Sequence, residues 1–204
     1  MMPSALLALA LAANTDAAAV LRTLESAGRA LKTMQANFVQ TKVLILLDEK
    51  EELRGSVLLS VPGRLLWNNT APHESAMLIK DGQFARYIPR SKQVFRGKAP
   101  EADLLVGFGP GAADLGKKYQ VTLLGEEAVA GSGTWILDLK PRESGLFAGI
   151  RLWVDKARSI PVQTRLTEPT GDHTTIRFEQ VQINATLPAA SFELKLPKDV
   201  VEVK

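Results

Sequence analysis

Two groups of residues in this 204-residue chain have types and spacings that could support chemistry. The first is residues 111–118, Gly-Ala-Ala-Asp-Leu-Gly-Lys-Lys, which has the glycine and lysine spacing of a phosphate-binding loop. Such a loop needs a Ser or Thr after the lysine to bind magnesium, and a helix that points its N-terminus at the phosphates. Here Lys118 occupies the Ser/Thr position, and residues 119–124 have the pattern of a strand. Nucleotide binding is therefore not predicted.

The two histidines form the second group, because His73 and His173 each have a neighbouring carboxylate, Glu74 or Asp172. A hydrolytic triad or a two-histidine metal site could in principle be built from them. The chain contains neither a Gly-x-Ser-x-Gly segment nor a His-x-x-x-His pair, and both histidines stand in polar, turn-like surroundings. We predict surface histidines, no enzyme activity, and no cofactor or metal site. A secreted hydrolase that uses one of the histidines is the alternative.

The composition indicates one globular domain. Hydrophobic residues make up 46% of the chain and charged residues 23%, and the net charge is only +3. A nucleic-acid-binding surface normally carries a basic stripe, and no run of Lys and Arg exceeds two residues, so no nucleic-acid partner is predicted. The absence of Cys excludes a disulfide scaffold, a thiolate metal site and a lipid anchor attached through Cys.

Residues 5–13 form an uncharged run of Ala and Leu that is typical of the hydrophobic part of a secretory signal. The run is shorter than the roughly 18 residues that a membrane-spanning helix requires. No Lys or Arg precedes it, although signal peptides usually begin with one. We predict a signal peptide at 1–13 and a single soluble, exported domain at 14–204. The alternative is that this run forms the buried first turn of the next helix.

One long amphipathic helix is predicted after this run. Apolar residues recur at steps of three and four, while charged residues fill the opposite face. The spacing predicts a helix over 15–34, capped by Asn14 or Thr15, with an apolar side that must pack against another element. The apolar residues are Val20, Leu24, Ala27, Leu31 and Met34.

From there to the C-terminus the period changes to two, which is typical of half-buried strands separated by short turns. The parity of the apolar residues switches near Glu179 and Gln180, where we expect a β-bulge. About eleven strands at hairpin spacing predict an α+β fold that is mainly one antiparallel sheet, curled into an incomplete barrel. The predicted strands are 36–47, 53–61, 64–69, 75–80, 83–88, 92–96, 118–124, 134–140, 150–155, 160–167 and 174–183.

Residues 97–117 interrupt the strands. Pro100 favours the start of a short helix that Gly107 ends, and the glycines at 109 and 111 favour a hinge before another helical turn. We therefore predict a small helical insert in the middle of the sheet, with no second domain.

Several of the predicted strands are apolar on both faces, most clearly 43–47, 57–59 and 65–67. An antiparallel sheet usually presents one polar face to water. Two explanations fit equally well. Either the N-terminal helix covers a second packed face, or the sheet lines a cavity for an apolar ligand under the helix and the insert.

The order and spacing of several short motifs resemble one family across nearly the whole chain after residue 13. The chain resembles the LolA-like periplasmic carriers of outer-membrane lipoproteins. The motifs are Met34–Gln40 after the helix, Gly55–Trp67 with Pro62 at its second strand, Pro72–Gly82 continuing to Pro89, Leu152–Asp155 with Pro161, and Phe178–Asn184 followed by Phe192 and Pro197.

This resemblance implies an incomplete antiparallel barrel, half open and covered by helices, that holds acyl chains of a lipoprotein on its apolar inner surface. It also implies a monomeric shuttle in the periplasm. An inner-membrane ABC-type transporter would load it, and an outer-membrane acceptor lipoprotein is a candidate partner for delivery. Ligand-binding residues of the predicted apolar cavity are Phe38, Val57, Leu59, Leu65, Trp67, Phe84, Tyr87, Leu104, Leu105, Leu152, Val154 and Phe178.

One departure from the family pattern affects the predicted lid. The family often has an Arg immediately before the proline that corresponds to Pro62, and this Arg is tied to the helical lid; here the residue is Val61. We expect the insert 97–117 and the helix to move as the lid, hinging near its glycines. The same departure leaves open an alternative, a related carrier or sensor whose ligand is another lipid or a lipid-linked product.

Overall fold

The computed structural model describes residues 16–99 and 105–203, and it begins with the predicted amphipathic helix, α1 (Ala17–Ala30). Its N-cap is Asp16, whose Oδ1 accepts a hydrogen bond from the Ala19 N–H at 2.6 Å. The proposed caps Asn14 and Thr15, and the predicted signal peptide 1–13, lie outside the described residues. The helix ends four residues earlier than predicted, because Met34 already belongs to the first strand, where its side chain points to the same interior.

Strands account for most of the remaining chain, and all of them belong to one twelve-stranded sheet with the order β12-β6-β5-β4-β3-β2-β1-β11-β10-β9-β8-β7. Neighbours pair antiparallel except β12, which pairs parallel with β6. The strands are β1 (Thr33–Leu44), β2 (Glu49–Ser60), β3 (Arg64–Ala71), β4 (Ser75–Lys80), β5 (Gln83–Ile88), β6 (Gln93–Lys98), β7 (Tyr119–Val129), β8 (Ser132–Pro141), β9 (Gly149–Asp155), β10 (Pro161–Thr167), β11 (His173–Ile183) and β12 (Val201–Val203).

The sheet is open, since β7 and β12 form its two edges. Its two halves nevertheless pack on the same helix. Val20 and Leu24 of α1 belong to the same buried cluster as residues of β8, β9 and β10, whereas Ala27, near the other end of α1, packs against the cluster that holds residues of β1, β2 and β3. The sheet therefore wraps around α1, which confirms the predicted α+β fold and its incomplete barrel.

The predicted bulge in β11 is present. The pairing of β1 with β11 shifts register between Gln35 and Asn37, and Gln180 adopts a left-handed conformation with φ of 52°. The extra residue restores one apolar face, because Val181 packs with Phe178 in the same cluster despite its opposite parity.

The described part of the insert departs from the prediction at residues 105–107, which form a turn where the predicted short helix was expected to end. Residues 100–104, the first part of the predicted short helix, lie outside the described residues. A 3₁₀ helix (Gly109–Asp114) and the single-turn α2 (Leu115–Lys118) follow. The predicted strand 36–47 lies three residues earlier in the structure, because β1 spans Thr33–Leu44 and Ile45–Leu47 form a 3₁₀ turn.

The outer face of β2–β6 is covered as well as the inner one, which explains the apolar residues on both parities. Leu66, Ala85 and Val94 point away from α1 by register, yet all three are buried. The connection 184–200 must cross six strands to link β11 to β12, and its Phe192 is fully buried. This C-terminal connection therefore packs across the outer face, a cover that the sequence patterns did not predict.

A buried carboxylate holds the β9–β10 turn. Asp155 accepts hydrogen bonds at 2.9 Å from the backbone N–H groups of Ala157 and Arg158, and at 2.9 Å from Arg158 Nη2. Burial alone would raise the pKa of this carboxyl, but the hydrogen bonds from Arg158 and Ser132 outweigh it and hold the pKa below its usual value of 3.8.

We expect Asp155→Asn to lower the free energy of unfolding at pH 7 by about 1–2 kcal/mol, because the amide cannot replace the charge-assisted bonds from Arg158. Since the folded pKa is lowered, this contribution is complete above the unfolded-state value of 3.8 and is lost as the pH falls through the folded pKa. Urea unfolding at pH 7 and pH 3 measures both effects. Asp81→Asn in the exposed β4–β5 turn is the control; an equal loss of stability at both pH values would contradict this assignment.

Candidate functional site

The inner face of β1, β2 and β3 is centred on two stacked aromatic rings. The centroids of Phe38 and Trp67 lie 4.2 Å apart, with the rings tilted by 33°. Gly55 lies directly opposite Phe38 in the ladder, and a Cβ there would lie 2.7 Å from Phe38 Cζ and 1.9 Å from the Asn68 carbonyl oxygen. Only glycine allows the ring to lie this close to β2.

Trp67 is oriented by polar groups at the edge of this apolar region. Its Nε1–H donates to Asn69 Oδ1 at 3.2 Å, and the Asn69 amide donates to Ser75 Oγ at 2.8 Å. These bonds satisfy the indole N–H, so the rest of the ring can face the interior without an unpaired polar group.

Most of the predicted site residues lie in two adjoining clusters on the inner face. Phe38, Val57, Leu65, Trp67 and Phe178 are buried together in one cluster, which we call the aromatic cluster, and Leu59 and Leu105 pack at its margin. The second cluster, around α1 and β8–β10, holds Leu152 and Val154. Leu104 lies outside the described residues.

The two remaining predicted residues lie on opposite faces of β5. Phe84 is in register with Ile79 and Leu65, and therefore faces the interior. Tyr87 is in register with Ala76, so it lies on the outer face and does not line the interior. Successive residues of a strand point to opposite faces, so Phe84 and Tyr87, which are three positions apart, cannot share one face. The spacing in the sequence was therefore enough to exclude one of them from the predicted cavity.

The aromatic cluster also contains a residue from the insert that the sequence patterns did not identify. Phe108 is buried, and its ring makes an edge-to-face contact with Phe178 at a centroid distance of 5.3 Å. In the sequence Phe108 lies between glycines and suggested only a flexible loop. In the folded chain it closes the interior, because its side chain occupies space that the sheet encloses.

The insert touches α1 through small residues. A Cβ on Gly28 would lie 2.6 Å from the Gly109 carbonyl oxygen and 2.9 Å from Ala112 Cβ, so this approach requires glycine. On the other side, a Cβ on Gly109 would lie 3.2 Å from Val61 Cγ2. Val61 thus lies against Gly109 of the insert, at the position where the family pattern noted above often has an Arg.

By contrast, the C-terminal end of α1 is tied to the sheet by hydrogen bonds. The Asn184 side chain accepts from the Lys32 N–H at 2.8 Å and donates to the Ala30 carbonyl oxygen at 3.3 Å. The Lys32 carbonyl oxygen accepts from the Val61 N–H at 2.8 Å. This end of the helix is therefore anchored by hydrogen bonds, whereas the described contact of the insert with α1 at Gly28 is a close packing contact.

The two histidines lie at or beside strand ends. His173 lies at the start of β11, where its Nε2 is 2.8 Å from Arg165 Nη2. A guanidinium only donates, so this nitrogen accepts. His73 lies in the β3–β4 turn. Within 16–99 and 105–203 no three His, Cys, Asp or Glu side chains come together as a metal site.

The sequence model of one protein family matches residues 29–195, and that family is described as outer membrane lipoprotein carrier protein LolA. The chain belongs to the LolA family. This match covers β1 to β11 and the whole inner face described above.

Curated relatives agree with membership in the LolA family, and a solved structure shares the fold. An outer-membrane lipoprotein carrier protein of Chromobacterium violaceum is 28% identical, over 98% of this chain and 94% of its own length. One from Legionella pneumophila strain Paris is 31% identical, over 89% and 88%. A crystal structure of an uncharacterized conserved protein from Thermus thermophilus shares the fold, with a TM-score of 0.61 at 16% identity over 90% of this chain and 96% of that one. None of the helices described for the chain is long and apolar enough to cross a membrane.

We expect Gly28→Ala to displace the insert from α1 although alanine favours the helix itself by about 1 kcal/mol, because the new Cβ would lie 2.6 Å from the Gly109 carbonyl oxygen. Amide hydrogen exchange at Phe108 and Leu115 should accelerate by roughly tenfold or more, since about 1.4 kcal/mol of lost contact energy gives that factor. The matched control is Gly145→Ala, whose Cβ would meet no atom within 4 Å. Unchanged exchange in Gly28→Ala would show that the insert does not depend on this contact.

Proposed function

We propose that this protein is a periplasmic carrier that binds the acyl chains of lipoproteins against the inner face of its open sheet. The observation that carries the proposal is the aromatic cluster, an apolar inner face whose cover includes the side chain of Phe108. Membership in the LolA family and the names of the curated relatives support lipoproteins as the cargo.

The energy of acyl-chain burial suits this role. Each buried methylene contributes about 0.8 kcal/mol, so a chain of about sixteen carbons gains roughly 13 kcal/mol on leaving water. Escape into water would be slow, and the cargo must therefore pass directly between apolar sites. A cover that opens in contact with a partner meets this requirement better than a permanently closed pocket.

We infer that the insert is the part of the cover that opens. Asn184 anchors the C-terminal end of α1, while the insert contacts that helix at Gly28 and meets Val61 without strand pairing. Gly107 and Gly109 have φ of 86° and 57°, conformations that glycine adopts readily, and they flank Phe108. Rotation about these glycines would withdraw the Phe108 ring and expose the aromatic cluster to an acyl chain.

In this proposal an inner-membrane ABC-type transporter loads the carrier, and an outer-membrane acceptor receives the cargo. The carrier acts as a monomer and performs no chemistry. Leu59 and Leu105 lie at the margin of the aromatic cluster, where the first methylenes would enter.

Phe84 and Tyr87 provide a matched test of the binding face, because both are half-buried aromatic residues of β5 on opposite faces. Each is replaced by the photoreactive p-benzoyl-phenylalanine in the full chain, and the carrier is loaded from membranes that contain the transporter and a lipoprotein. We expect the lipoprotein to crosslink at position 84 and not at 87. Equal crosslinking at both positions, or none at 84, would contradict binding on the inner face. Mass spectrometry of the crosslinked product at position 84 also tests the alternative ligand. A crosslinked lipid without polypeptide would support a carrier of another lipid, which the apolar contact of Val61 allows.

Removing the Phe108 ring should favour the open form. Phe108→Ala loses the contact with Phe178 and leaves space in the interior, so the closed state is destabilised relative to the open one. We expect an acyl-chain probe, cis-parinaric acid, to bind roughly tenfold more tightly, since about 1.4 kcal/mol of closed-state energy corresponds to that factor. Fluorescence titration measures the affinity. Phe147→Ala, which removes a ring packed against the other inner cluster, is the control; a lower affinity in Phe108→Ala would mean that this ring holds the ligand instead of excluding it.

A further inference from the structure

The tip of the β1–β2 hairpin exposes three large apolar residues in succession. Ile45, Leu46 and Leu47 form one 3₁₀ turn, and they are 54%, 86% and 63% exposed. Single exposed apolar residues are normal on protein surfaces, but a contiguous group usually marks a contact site. The carrier function proposed above does not use this tip.

The exposed tip is held in place by its neighbours. The Ile45 N–H donates to Asp172 Oδ1 at 2.8 Å, which fixes the turn to the β10–β11 connection. Lys42 Nζ lies 3.9 Å from Glu168 Oε1 of the same connection. Asp48 closes the turn in a left-handed conformation with φ of 51°. The apolar side chains therefore project from a hairpin tip that is held in place by a hydrogen bond and an ion pair.

A third exposed leucine, on a different connection, lies at the same end of the sheet. Val43 is in register with His173, and Thr167 is in register with Gly149, so the connections after β1, β10 and β8 all leave the sheet at one end. Leu146, in the β8–β9 connection, is 66% exposed. The end thus presents two apolar points separated by the β10–β11 connection.

The charges around the tip do not favour an anionic partner. Lys42 and Lys50 are outnumbered by Asp48, Glu49 and Glu51 on the same hairpin. Binding at this end would have to come from burial of the apolar side chains, because an anionic lipid surface attracts basic segments and this one is not basic.

We propose that this end of the sheet is a membrane-docking surface, in which Ile45, Leu46, Leu47 and Leu146 insert into the lipid bilayer. A stable protein interface uses about 20–30 residues on each side, and four projecting side chains at two separate points cannot form one. A bilayer accepts such points, because interfacial binding needs only enough inserted apolar area and no complementary shape. The inference is independent of the cargo, since it concerns only the unloaded protein and a lipid surface.

Because the chain has no Cys, a single engineered Cys can carry an environment-sensitive label. Leu46→Cys labelled with a nitrobenzoxadiazole dye should shift to the blue and brighten when phosphatidylcholine vesicles are added. The matched control is the same label on Leu124→Cys, because Leu124 is 49% exposed on β7, away from this end. The label at position 124 should show no change.

Vesicle co-sedimentation of the unlabelled protein completes the test. The double variant Leu46→Ser/Leu47→Ser should bind phosphatidylcholine vesicles at least about tenfold more weakly, because membrane affinity scales with the inserted apolar area. Added phosphatidylglycerol or a higher NaCl concentration should change the binding of the natural sequence little. Three outcomes would overturn the proposal: equal responses of the labels at 46 and 124, binding that requires phosphatidylglycerol, and a signal at 46 that rises with protein concentration without vesicles. The last of these would indicate that a second copy of this chain occupies the surface. None of these outcomes affects crosslinking at position 84, so the two proposals can fail separately.

Discussion

The constraint on which the rest of the structure depends is that half of the sheet is apolar on both faces and must be covered twice. α1 and the insert bury the inner face through the aromatic cluster. We infer that the connection 184–200, which carries the buried Phe192, covers Leu66 and Val94 on the outer face, because it must cross six strands to reach β12. Without either cover, several strands would expose apolar side chains, which water disfavours by about 25 cal/mol per Å².

The two covers differ in how they are attached. The outer cover ends in β12, whose backbone pairs with β6, and Lys92 Nζ lies 2.5 Å from Asp199 Oδ2 beside it. Among the described residues of the insert, Gly109 and Phe108 meet α1 and the sheet by packing. Opening the inner cover therefore breaks apolar contacts that an acyl chain can replace, whereas opening the outer cover would break strand hydrogen bonds that it cannot replace.

The alternation of apolar residues gave the position of eleven strands, because a half-buried antiparallel strand alternates its side chains strictly. Three of the features that the sequence patterns missed have a specific physical reason. Met34 lies in β1 but fits the apolar spacing of the helix, because its side chain packs in the same interior that the apolar side of the helix faces. β12 has three residues and no period, so only its pairing with β6 reveals it. Phe108 lies among glycines, and its role depends on contacts with residues distant in sequence. The inner-face residues on β1–β3 were predictable because parity and hydrophobicity agree there.

The position of β1 in the sheet has a consequence for the newly made chain. β1 is a central strand, flanked by β2 and by β11, and Phe38 pairs with Phe178 across the second boundary. Until residue 183 has been synthesised, β1 therefore has one unsatisfied edge, and the aromatic residues beside it lack their partners. Pairing between strands distant in sequence forms slowly, and until it forms the unpaired strand edges can pair with other chains and aggregate. This architecture favours a chain that is kept unfolded during synthesis and collapses only when both ends are available together.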